Sequence, residues 1–219
     1  MITYAQVRDN EDIKTYINKA DQTLAALGYT EHSFAHVGKC ANEAGGILED
    51  LGFPARTAEL ARIAAYLHDI GNMVNRAGHA QSGAMMAFRL LDKMGMDAEE
   101  IAIVVAAIGH HDETAAFPVN EVAAAVILAD KSDVRRSRVR NDDFSSFDIH
   151  DRVNYAVEKS TLTLCKEENT ITLALTIDSK ISAVMDYFEN FLNRMLLSRK
   201  AAAFFDLRFH LIINGVELL

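Results

Sequence analysis

Six stretches of helical apolar spacing fill the first 137 residues, and imidazole or carboxylate side chains sit inside them or at their ends. In chain order these are His36, the doublet His68-Asp69, His79, the doublet His110-His111, and Asp130. The chain has eight histidines, and five belong to this series. Imidazole nitrogens and carboxylate oxygens together suit iron, manganese or zinc, and seven donors exceed the need of one tetrahedral site. The number points to two metals sharing a bridging carboxylate, an arrangement that can hold both the attacking and the leaving oxygen of a phosphate ester.

The helices themselves are readable from spacing and stops. Over 11–28, Ile13, Tyr16, Ile17, Ala20, Leu24 and Leu27 recur at helical intervals and Gly28 ends the run. A second helix over 33–51 is broken by Gly52-Phe53-Pro54. The third, 55–69, ends in His68-Asp69, and Gly71 is expected to close it in a left-handed conformation. Residues 72–78 read as a loop. The fourth helix covers 79–94, the fifth runs from an Asp97 cap to His110-His111, and a loop over 112–120 leads to a sixth over 120–137. The character then changes. Residues 160–165 and 170–177 read as a hairpin, 179–203 as a helix and 207–213 as a third strand. With a polar, acidic boundary near 141–152, the expected division is a helical metal-binding domain, 1–145, and a small ββαβ unit, 146–219. The fold class is mainly α with a small α+β tail.

Half of the 219 residues are hydrophobic, enough for a sizeable core, and the net charge is −9. An acidic chain lacks the basic field that nucleic acid or an anionic membrane needs, so neither is an expected partner. A small phosphorylated ligand held by a local basic cluster is compatible with it. Cys40 and Cys165 lie far apart, which fits a reducing, cytoplasmic compartment. The N-terminus lacks a signal-peptide pattern, and no run reaches the roughly 18 apolar residues of a membrane span.

Each donor has a plain alternative. Neighbouring residues on a helix differ by about 100° in direction, so one member of a doublet can face a metal while the other bridges to a second. A histidine pair at a helix end can also simply meet the C-terminal dipole. Asp130 interrupts an apolar run, where a lone ionised carboxylate is costly to bury. His32 lies one turn before His36 and competes for its role, with His36 favoured. Lys131, Arg135, Arg136 and Arg140, in a basic stretch after Asp130, are candidates for binding a substrate phosphate, and Arg76 is another; a solvated helix end is the alternative. Asp133, near Asp130, is a candidate for orienting water or a ligand, against a surface ion pair.

The order His36, His68-Asp69, Asp130 resembles the HD superfamily of metal-dependent phosphohydrolases over about residues 30–140. The added His79 and His110-His111 resemble its binuclear branch, which includes the HD-GYP phosphodiesterases. The segment after His111 lacks Gly-Tyr-Pro, and His79 follows the doublet more closely than in HD-GYP domains, which argues against cyclic di-GMP as substrate. The resemblance implies a helical bundle with one metal on His36, His68, Asp69 and Asp130 and a second on His79, His110 and His111, Asp69 bridging. It implies divalent ions, iron or manganese first, with zinc, magnesium and nickel as further options. The implied reaction is hydrolysis of a phosphate ester of a nucleotide or small metabolite by a metal-activated hydroxide. Two other classes stay open: a di-iron oxygenase of the same fold, and a non-enzymatic sensor of a phosphorylated ligand. Strand edges in the tail make a homodimer the expected assembly.

Overall fold

A computed structural model of the chain describes residues 1–113 and 116–218; Thr114 and Ala115, inside the loop expected over 112–120, and Leu219 lie outside the described residues. Capping side chains set where the helices begin. α1 (Tyr4–Asp9) opens under a Thr3–Gln6 capping box, and α2 (Glu11–Ala26) under Asn10, whose side chain accepts from the Ile13 amide. α2 buries Ile13, Ile17, Ala20 and Leu24 as one stripe. α3 (Phe34–Leu51) starts at Ser33 and stops at Gly52, whose φ of 84° is the left-handed value a helix end favours.

α4 (Ala55–Leu67) ends two residues short of the expected limit and passes into a 3₁₀ turn, Ile70–Met73. Gly71 lies inside that turn and is not among the glycines with positive φ, so the expected left-handed closure is absent. What Gly71 supplies is room. A Cβ there would collide with the His79 carbonyl and the Gly83 amide of α5 (His79–Met94). On the other side, a Cβ on Gly83 would sit 3.2 Å from both the Gly71 nitrogen and the His68 carbonyl. The two glycines let the end of α4 and the start of α5 touch backbone to backbone.

α6 (Ala98–Gly109) begins behind Asp97, and α7 (Glu121–Ser132) behind Asn120. Every residue of α7 from Val122 to Ser132 is buried. It packs against α3, α4 and α6, which makes it the central helix. It stops five residues before the expected end. Asp133 caps it, Arg135 is extended, and the basic stretch forms a 3₁₀ turn, Arg136–Arg138.

Where a polar linker is expected, α8 (Ile149–Ala156) forms, because the Asp148 carboxylate accepts from the Asp151 amide and caps it. β1 (Val157–Cys165) and β2 (Thr170–Ile177) pair antiparallel as the expected hairpin. α9 (Val184–Phe204) then crosses over, and β3 (Arg208–Ile213) pairs parallel with β2, Ile171 opposite Phe209 and Leu173 opposite Leu211. A short β4 (Val216–Glu217), not expected from periodicity, turns back at Asn214-Gly215 against β3. The sheet order is β1-β2-β3-β4. The fold is mainly α with a small C-terminal sheet. One core cluster runs through helices and sheet alike, and α9 lies against α7. Among the described residues no helix is long and apolar enough to cross a membrane.

Candidate metal centre

Five elements deliver donors to one point. His36 comes from the first turn of α3, His68 and Asp69 from the end of α4, His79 from the first residue of α5, His111 from just beyond α6, and Asp130 from the last turn of α7. All six are buried. Two groups, His36 with His68 and Asp130, and His68 with Asp69 and His111, each bring three possible ligand atoms within 4.8 Å of one another.

Asp69 divides the donors. Its Oδ2 lies 3.5 Å from His36 Nε2 and 3.2 Å from His68 Nε2. Its Oδ1 lies 3.5 Å from His79 Nε2 and 3.9 Å from His111 Nε2. Asp130 Oδ1 joins the first set, 3.5 Å from His36 Nε2 and 3.7 Å from His68 Nε2. One carboxylate thus faces a different histidine pair with each oxygen.

The far ring nitrogens explain the orientation. His68 Nδ1 contacts the Ala65 carbonyl at 2.7 Å, His79 Nδ1 the Arg76 carbonyl at 3.0 Å and His111 Nδ1 the Ile108 carbonyl at 2.7 Å. His36 Nδ1 contacts Asp133 Oδ2 at 2.8 Å. All four partners are acceptors, so each Nδ1 carries a proton and each ring turns Nε2 towards the cluster, where loss of any proton there leaves a lone pair. Those lone pairs converge: His36 and His68 Nε2 are 3.4 Å apart, His79 and His111 Nε2 3.1 Å. Two lone pairs at such a distance repel unless a cation sits between them. The donor set therefore fits divalent metals, and anchoring of the second ring nitrogen is what a metal-ligating histidine needs.

The field agrees. Burial works against a charged His68, but Asp69 and Asp130 outweigh it and push its pKa up to about 10. Burial also opposes the Asp130 charge, yet Lys131 and the neighbouring histidines hold that carboxyl well below its ordinary value. In the other set, burial and then the positive charge of His68 push His111 down to about 3, so its imidazole stays neutral. Each situation is suited to a ligand: the first set attracts positive charge and the second keeps its lone pairs free.

Other residues singled out in the sequence fall in different places. His110 caps α6 with a half-buried ring, and its Nδ1 is buried with no hydrogen-bond partner among the described residues; it belongs to neither donor group found among them. His32 is buried beside His36, its Nε2 4.0 Å from Asp69 Oδ2, so both histidines reach the cluster. Asp133 is fully buried and faces His36 Nδ1, with Lys39 and Arg135 each near its Oδ1. It aims a ring rather than facing the donors' meeting point. Arg76 reaches the cluster, 3.9 Å from Asp69 Oδ1 and over the Tyr29 ring. The remaining basic candidates have internal partners. Lys131 is buried between Asp130, at 2.6 Å, and Glu113, at 3.1 Å. Arg135 pairs with Asp133 and Glu31, Arg136 with the Tyr155 carbonyl, and Arg140 with Asp21.

Three residues near the cluster are not singled out by spacing. Asn72, fully buried, donates to Asp69. Asp112, beside the histidine doublet, has Oδ1 4.0 Å from His79 Nε2. Arg194 arrives from α9, far downstream. A cavity of about 360 Å³ opens beside His32 and Arg76, with Phe191 and Arg194 on its lining.

Residues 33–135 match the family model described as HD domain. No curated protein matches the chain. The matched segment is similar to an HD domain, and its buried histidine and aspartate groups could hold a metal ion. The matched segment contains His36, His68, Asp69, His79, His111 and Asp130; it ends before α8, the sheet and α9.

Proposed function

We propose that this protein is a phosphohydrolase that cleaves a phosphate ester of a nucleotide or small metabolite at a pair of divalent metals. The observation that carries the reading is Asp69, whose two oxygens face two separate histidine pairs. Metals bound there would polarise the phosphoryl group and make a water acidic enough to ionise near neutral pH. The chain's own residues supply position and charge. Asp133 fixes the His36 tautomer and Asn72 fixes Asp69. Arg76, beside Asp69 and on the cavity lining, offers a planar fork to phosphoryl oxygens. Burial of the donors limits screening by water, so these charges act strongly on a bound anion.

The test is elemental analysis of protein purified without chelators, with the same preparation assayed on a panel of phosphoesters. About two iron or manganese ions per chain and release of phosphate from an ester are the expected results. Two irons with oxygen consumption and no phosphate release would replace the reading with a di-iron oxygenase. Metal-replete protein without either activity would make the chain a binding module.

A further inference from the structure

The C-terminal unit lines the cavity beside the metal donors with Asp148, His150, Asp151, Asn154, Phe191 and Arg194, and Arg194 is the guanidinium among them. Arg194 and Phe191, one turn apart on α9, line the cavity that His32 and Arg76 also line. The Arg194 side chain is held on two sides: its Nε lies 2.9 Å from Glu113 Oε1, and its guanidinium carbon lies 4.6 Å from the centre of the Phe191 ring. It is still 21% exposed. Glu113 does not neutralise it alone, because Lys131 Nζ shares the same oxygen at 3.1 Å. Lys131 in turn pairs with Asp130, one of the metal donors. Asp130 meets Lys131 with Oδ2 and the histidines with Oδ1, while Glu113 Oε1 is shared between Lys131 and Arg194. A guanidinium anchored along one edge still has donors for an oxyanion.

We propose that Arg194 binds the anionic group of the substrate, so that the unit downstream of the HD segment completes the substrate cleft. The proposal rests on the phosphohydrolase reading and adds to it a residue outside the matched segment. The plain alternative is a tether, in which Arg194 only ties α9 to Glu113.

Inorganic phosphate is the probe, added to the metal-loaded full chain. Calorimetry on wild type, Arg194→Gln and Arg194→Lys gives phosphate affinity, and elemental analysis gives metal content. The expected result is about a tenfold or greater loss of phosphate affinity in Arg194→Gln, with metal content unchanged and partial recovery in Arg194→Lys. Phenylglyoxal labelling of Arg194 in wild type, read by mass spectrometry, decides the matter if the variants do not fold: phosphate is expected to slow it. Phosphate affinity unaffected by Arg194→Gln, or labelling unaffected by phosphate that binds, would overturn the subsite while leaving the hydrolase reading intact. Metal-loaded wild type that neither binds phosphate nor releases it from any ester would overturn both.

Discussion

The side-chain amide of Asn72 donates to Asp69 twice, to its backbone carbonyl at 2.9 Å and to its Oδ1 at 2.8 Å. The carboxylate is thereby pinned to the turn that follows it, with Oδ1 towards His79 and His111 and Oδ2 towards His36 and His68. Removing the amide leaves Asp69 free to rotate. Asn72→Ala is expected to lower metal affinity by about 10- to 100-fold, measured by competition with a chromogenic chelator. Unchanged affinity would mean that the donors alone aim the carboxylate.

His110 and His111 are adjacent, yet only His111 points at Asp69. His111→Ala is expected to reduce the metal content of the purified protein, with His79→Ala doing the same. His110→Ala is expected to leave it unchanged. Elemental analysis of the three variants decides it, and a metal loss confined to His110→Ala would contradict the arrangement described above.

Glu113 links the helical core to α9. Burial pushes its pKa up, but Lys131 and then Arg194 outweigh burial and bring it down to about 2 from an ordinary 4.5. A depressed carboxylate adds stability that is present above its unfolded value and lost as pH falls through the folded one. Wild type is therefore expected to lose part of its stability between about pH 4.5 and about pH 2. Glu113→Gln is expected to melt lower than wild type at pH 6, with the difference shrinking across that window. Thermal melts of metal-free protein across the range check the sign, and a gap that widens towards acid would refute it.

The close approach of Gly71 to α5 predicts intolerance of even one methyl group. Gly71→Ala places a Cβ against the His79 carbonyl and the Gly83 amide, both backbone atoms. A cost of about 3 kcal/mol is expected in urea unfolding, the upper part of the range for overpacking. Gly46→Ala, on an open face of α3 where a Cβ meets nothing, is the control and is expected to be neutral or slightly stabilising.

Much of this centre is legible in the sequence because its donors interrupt or terminate apolar helices. His36, His79 and Asp130 stand out against their surroundings, and the helix limits near them agree with the structure to within a residue or two at their starts. Choosing between His110 and His111 needs the direction of the final turn of α6, which spacing does not provide. Asn72 sits in a 3₁₀ turn that reads as loop, and its role depends on a side chain folding back three residues. The basic run Lys131–Arg140 suggests a phosphate site by composition, but most of its members find carboxylates or carbonyls brought up from α2, α8 and the segment before α3. Arg194 is one charged residue among many on α9; only the packing of α9 on α7 places it near Glu113. The capping carboxylate of Asp148 explains why an acidic stretch that reads as linker forms α8 instead.

The Gly71–Gly83 contact also bears on how the donors are spaced. His68 and Asp69 leave α4 just before Gly71, and His79 opens α5 just before Gly83, so backbone contact sets how far apart the donors stand. Flexible side chains can follow an ion's radius; abutting main chains cannot. The separation of the donor-bearing main chains is consequently fixed by two residues that have no side chain.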